Sequence, residues 1–121
     1  MAKITCFEDM DIWQLARKFT ANIYLEFRNN KDYSFRDQIQ RSSVSVMNNI
    51  AEGYERNMPN EFIRYLKIAK GSAGEAKSML YVSEDLEYLS IQKASKLRNA
   101  VQEIMNKTGS LISYLESKKK S

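Results

Sequence analysis

The sequence predicts an all-α fold, an up-down-up-down antiparallel four-helix bundle, and three observations carry that prediction. Four Gly and one Pro are the strong turn residues among 121, too few for the turn every 8–12 residues or so that an all-β sandwich or barrel needs. Four long segments repeat apolar residues at steps of three and four, the period of an α-helix that buries one face. Short breaks near residues 30–33, 57–58 and 87–90 separate those segments, and short connections force neighbouring helices to run antiparallel.

The first helix is predicted over about 9–28. Ile12, Ala16, Phe19, Ile23 and Phe27 form its main stripe, with Trp13, Thr20 and Tyr24 beside it. Glu8, Asp9 and Asp11 place negative charge where the helix dipole favours it. Asn29-Asn30 forms a stop, since Asn tolerates the left-handed conformation of helix ends. The second helix spans about 35–56, capped by Ser34 with Asp37 in a capping-box spacing, and Ile39, Val46 and Ile50 are its apolar face. Ser42, Ser43, Ser45 and Ala51 are small enough to let a neighbour approach closely.

Pro59 opens the third helix, about 59–86, in the first helical position that proline favours. Phe62, Leu66, Ala69, Ala73, Ala76 and Leu80 form its stripe. Gly71, Ala73 and Gly74 read as close-packing positions, because Lys70-Gly71-Ser72-Ala73-Gly74 lacks the spacing of a phosphate loop. Ser90 caps the fourth helix, about 91–116, whose heptad stripe is Ala94, Leu97, Val101, Ile104, Thr108, Leu111 and Leu115. The expected organisation is an N-terminal arm over 1–8, a bundle over 9–117 and a basic tail over 118–121. Folding the third and fourth helices about residue 88–89 makes opposed residue numbers sum to about 177, and apolar then meets apolar.

Composition narrows the function classes. The chain has no His and a single Cys, so the commonest general base and metal ligand are missing and no internal disulfide forms. No cofactor or metal is expected. No apolar run reaches the roughly 18–20 residues of a membrane span and no signal peptide opens the sequence, so a cytoplasmic protein without membrane contact is expected. Acidic neighbours Glu8 and Asp9 make Cys6 a poor nucleophile. The net charge of +4 is unevenly spread: residues 88–121 carry seven basic and two acidic residues. Local basic excess favours polyanions, nucleic acid first.

The second helix also bears a polar stripe of Arg41, Ser45, Asn48, Glu52 and Arg56, with Asn49 beside it. Folding the second and third helices about residue 58 gives opposed numbers that sum to about 117. Arg41 then faces Glu75, and Glu52 faces Arg64 or Tyr65. The expectation is a structural polar network of Arg41, Asn49, Glu52, Arg56, Arg64 and Glu75 that fixes register. The competing reading, Glu52 and Glu75 as a general acid and base, lacks a nucleophile or oxyanion donor in the pattern, so no enzyme activity is expected. Trp13, Tyr24, Tyr54, Tyr65, Tyr81, Tyr88 and Tyr114 exceed what one narrow core holds, and Tyr and Trp favour interfaces, so self-association is expected.

The run Phe7-Glu8-Asp9-Met10-Asp11-Ile12-Trp13, the segment Gln38 to Ser45, the core Asn49-Ile50-Ala51-Glu52-Gly53-Tyr54 with Arg56, and Glu61 to Leu66 followed by Ala69-Lys70-Gly71-Ser72 and Glu75 resemble the bacterial four-helix bundle proteins encoded in intervening sequences of 23S rRNA genes. A related branch is the accessory protein of diversity-generating retroelements. The resemblance runs from Phe7 to about Leu89, more loosely through the fourth helix. It implies a ring, typically a homopentamer, no enzyme activity and, in the retroelement branch, binding of nucleic acid and a reverse transcriptase. The leading expectation is therefore a non-catalytic oligomeric bundle that binds RNA or DNA. Its phosphate contacts are Lys67, Lys70 and Lys77 on the third helix, Lys93, Lys96, Arg98 and Lys107 on the fourth, and Lys118, Lys119 and Lys120 in the tail. The alternative is a protein-interaction scaffold whose lysines are merely solvated.

Overall fold

The computed structural model describes residues 3–119. A single 3-10 turn, Phe7–Asp9, leads into four α-helices: α1 (Asp11–Phe27), α2 (Tyr33–Glu55), α3 (Pro59–Asp85) and α4 (Ile91–Lys119). α1 packs on α2 and α4, and α3 packs on α2 and α4, which is the square of an up-down-up-down bundle. The described residues contain no strand.

The helix ends differ from expectation for local reasons. α1 starts at Asp11 because Asp9 N donates to Cys6 O (3.2 Å) and Met10 N to Phe7 O (3.0 Å), which closes a separate turn, and Met10 is extended at ψ 128°. α2 is capped by Asp32 instead of Ser34: the Asp32 carboxylate accepts from Phe35 N at 3.2 Å, and Ser34 lies inside the helix. Asn29-Asn30 is not a left-handed stop. Arg28 ends α1 at φ −58°, and Asn30 instead accepts from Asp32 N at 2.8 Å. The left-handed residues are Asn57 (φ 54°) after α2 and Glu87 (φ 59°) after α3. Ser90 caps α4 as its type predicts, with its hydroxyl accepting from Lys93 N at 3.1 Å. Lys118 and Lys119 belong to α4, whereas Lys120 lies outside the described residues.

The core follows the predicted stripes with two departures: on α3 Phe62 is half-buried and Ile63, one 100° step round the helix, takes the core position, and on α4 the stripe drifts. Ile12, Ala16, Phe19, Ile23 and Phe27 are buried, as are Ile39, Val46, Ile50, Leu66 and Leu80. On α4 the stripe holds through Thr108, but then Ile112 is buried while Leu111 is half-buried. A straight helix has 3.6 residues per turn, so a strict seven-residue pattern rotates by about 20° per heptad. Over two heptads that rotation hands the core position to the next residue. Ala69, Ala73 and Ala76 on α3 are fully buried and let α4 approach closely. Gly71 departs from its expected packing role: a Cβ there would meet open space.

Candidate nucleic-acid interface

Two seams position the polar residues. At the α2–α3 seam the predicted register is observed. Ser42 donates to Glu75, the Ser45 and Ser72 hydroxyls are 2.8 Å apart, and Tyr65 Oη donates to Glu52 at 3.3 Å. All three pairs sum to 117. Small side chains make this possible: a Cβ on Gly53 would sit 2.7 Å from the Tyr65 Cβ.

The partners within the seam are partly different from those expected. Arg41 does not hold Glu75, which instead accepts from Ser42 and from Gln38 Nε2 (2.7 Å). One residue is a 100° step around a helix, so Ser42 faces the seam while Arg41 stands exposed at its mouth. Glu52 takes Tyr65 and the Arg56 guanidinium (3.0 Å), not Arg64, which is bound to Glu61 at 2.9 Å. Asn49 turns back onto its own helix and donates to Ser45 O at 2.8 Å. Tyr65, read from the sequence as lying off the core stripe, is only 9% exposed. The hydrogen bonds from Ser42 and Gln38 hold the Glu75 carboxyl below its ordinary value, and the bond from Arg64 does the same for Glu61. Glu52 lies level with Tyr65, and Glu75 is ten residues further along α3. At 1.5 Å per residue the two carboxylates are about 15 Å apart along the bundle.

The second arrangement surrounds α4. On its α3 side stand Lys67, Lys70 and Lys77. Lys67 lies 3.5 Å from Glu116, Lys77 donates to Gln102, and Lys70 Nζ lies 3.3 Å from where a Gly109 Cβ would sit. The last two pairs sum to 179, two more than the expected register. On the α1 side stand Lys93, Lys96 and Lys107. Lys93 meets Glu26 at 3.4 Å, and Lys107 bridges Asp11 and Glu103. The Asp11 hydrogen bond raises the Lys107 pKa. Between the two lysine rows the exposed face of α4 carries the uncharged hydrogen-bonding side chains of Gln92, Asn99, Asn106, Ser110 and Ser117, with the Glu103 carboxylate among them, 3.4 Å from Lys107. Arg98 is a strut instead: its side chain is 14% exposed, 3.0 Å from Glu84 and stacked over Tyr81. Lys118 stacks over the Tyr114 ring, and Lys119 is exposed on the last turn.

Cys6 stands apart from both seams, and the hydrogen bond to Asp9 pushes its thiol pKa up. Among the described residues no three His, Cys, Asp or Glu side chains come together as a metal site, and no helix is long and apolar enough to cross a membrane.

The family is decided by comparison of the whole chain with known proteins. The model of the 23S rRNA-intervening sequence proteins matches residues 8–110. The chain belongs to that family. A crystal structure of a family relative from Bacteroides thetaiotaomicron, described as a protein of unknown function from the S23 ribosomal protein family, superposes with a TM-score of 0.79. It is 26% identical, covering 84% of this chain and 97% of that one. No curated protein matches the chain at a significant level. Within the family match lie all of the α2–α3 seam and α4 as far as Ser110.

Proposed function

We propose that this member of the 23S rRNA-intervening sequence family is a non-catalytic cytoplasmic bundle that binds nucleic acid, RNA first, along α4. The observation that carries this reading is the α4 face itself: a row of amides and hydroxyls, interrupted by one carboxylate, Glu103, that Lys107 holds at 3.4 Å, and flanked by lysines on both sides. Lysines engage phosphates without regard to sequence, and neutral amides and hydroxyls satisfy sugar and base edges. A non-catalytic role is supported by the separation of Glu52 from Glu75, well beyond the roughly 5–9.5 Å of the carboxylate pairs that hydrolyse glycosides.

The working form is a homo-oligomer, with the five subunits that the family resemblance implies. Exposed Tyr24 (42%), Tyr81 (51%) and Tyr114 (55%), of a residue type enriched at interfaces, support self-association. A ring would multiply weak phosphate contacts through avidity. The competing scaffold reading draws on one observation: Lys67, Lys93 and Lys107 already face carboxylates.

The test is fluorescence anisotropy of a labelled RNA at 50 and 200 mM salt, with light scattering of the same samples. Affinity should fall steeply with salt. Lys70→Ala with Lys96→Ala should weaken binding several-fold and reduce the salt slope by about one to two. A flat salt response overturns the nucleic-acid reading and favours the scaffold.

A further inference from the structure

α1 and α4 are not joined by a loop, and their seam is held at two points. Glu26–Lys93 closes one end and Asp11–Lys107 the other. Between them, over about 20 Å at 1.5 Å per residue, the helices part to leave a cleft of about 410 Å3. Its floor is apolar: Leu15 and Phe19 from α1, Leu97 and Ala100 from α4. Ala100 contributes the room, since a larger side chain at that place would fill the gap.

The rim is polar and cationic. Lys18 and Lys96 line the cleft and have no ion-pair partner among the described residues. Glu26 and Glu103 also line it; Lys93 holds Glu26 at 3.4 Å, and Lys107 is shared between Glu103 (3.4 Å) and Asp11, so four lysines stand against three carboxylates. The uncompensated charge at the rim is therefore positive. The Asn22 amide, a donor and an acceptor together, also lines the cleft without a hydrogen-bond partner among the described residues.

We propose that the α1–α4 cleft takes one unstacked nucleotide of an RNA strand, with the base on the Leu15–Phe19–Leu97–Ala100 floor, its edge at Asn22 and its phosphates at Lys18 and Lys96. The proposal rests on the nucleic-acid reading and names the part of the strand that is read. Size, shape and charge converge on it. The volume falls in the range of small-ligand sites, roughly 300–1,000 Å3. A nucleobase has apolar faces and polar edges, matching an apolar floor under a polar rim. Ion pairs at both ends stop the cleft, which suits a compact ring and not an acyl chain or an extended peptide. The phosphates continue from Lys96 onto the α4 face already described. Bases are accessible in this way only in single-stranded or looped RNA.

Anisotropy titrations of three labelled probes test it: a short single strand, the same strand with abasic sites, and the matching duplex. The single strand should bind about ten-fold more tightly than either of the others. Ala100→Phe, which fills the cleft, should abolish that preference and leave the salt slope unchanged. Asn22→Ala, an exposed substitution that leaves the core intact, should reduce the preference if Ala100→Phe does not fold. Equal affinity for intact and abasic strands, unchanged by either variant, overturns the cleft while the polyanion reading stands. If no RNA binds at low salt, that reading fails. The cleft is then judged by NMR titration with nucleoside monophosphates: shifts confined to Leu15, Asn22 and Ala100 uphold it, and none at millimolar ligand overturns it.

Discussion

Gly53 of α2 and Tyr65 of α3 meet so closely that a Cβ on the glycine would lie 2.7 Å from the tyrosine Cβ and 3.2 Å from a Phe62 ring carbon. The contact sets the separation of the two helices at the end where Glu52 and Arg56 bind the Tyr65 hydroxyl, at 3.3 and 2.9 Å. Gly53→Ala must push the helices apart, because the obstructing Tyr65 atom is next to the backbone and cannot swing away. The expected destabilisation is about 1–3 kcal/mol, against the small gain that alanine brings to an unobstructed helix position. Urea denaturation of the two proteins measures it.

Glu87 occupies the left-handed position after α3. Tyr88 N donates to Ser83 O at 2.8 Å and Glu87 N to Glu84 O at 3.0 Å, the two bonds of a Schellman ending in which glycine is the usual residue. The left-handed conformation costs a residue with a Cβ roughly 1–2 kcal/mol. Glycine's freedom in the unfolded chain offsets roughly 0.5–1 kcal/mol of that relief. Glu87→Gly should therefore stabilise the protein by about 0.5–1 kcal/mol, seen as a higher melting temperature by circular dichroism. A lower one would contradict the strain.

Thr108 lies in the core with 1% exposure, and its hydroxyl has no hydrogen-bond partner. Valine has nearly the same shape. Thr108→Val should add about 1–2 kcal/mol of stability by removing a buried polar group that leaves water without compensation. Chemical denaturation at unchanged m-value is the check.

Acid should loosen the bundle through its depressed carboxylates, and besides Glu61 within α3, two of them tie one element to another. Tyr88 and the Phe35 amide hold Asp32 below its ordinary pKa, and Ser42 and Gln38 hold Glu75 below its own. The unfolded chain therefore binds protons more readily than the folded one. The stability these groups add is complete at neutral pH, begins to fall near pH 4–5 and is lost as pH passes below the depressed values. Urea midpoints between pH 7 and pH 3 should follow this course. Asp32→Asn, which keeps a capping oxygen, and Glu75→Gln should each flatten the acid limb.

Sequence spacing by itself determined the four helices, their antiparallel order and the α2–α3 register. Each depends on local periodicity and on short loops that leave one way to fold back. The same reasoning left Glu52 opposite Arg64 or Tyr65, and the structure chose Tyr65. Spacing misplaced Arg41 and Ser34, because a single residue step decides whether a side chain faces a seam or solvent, and because Asp32 is the stronger competitor for the helix cap. Only the tertiary structure decided the α1–α4 seam. Those helices are the first and last of the chain, no loop sets their register, and the pairs Asp11–Lys107 and Glu26–Lys93 follow from how the other three interfaces close the square. The cleft between them, with Ala100 in its floor, exists because that last interface is set by its neighbours and not by its own pattern.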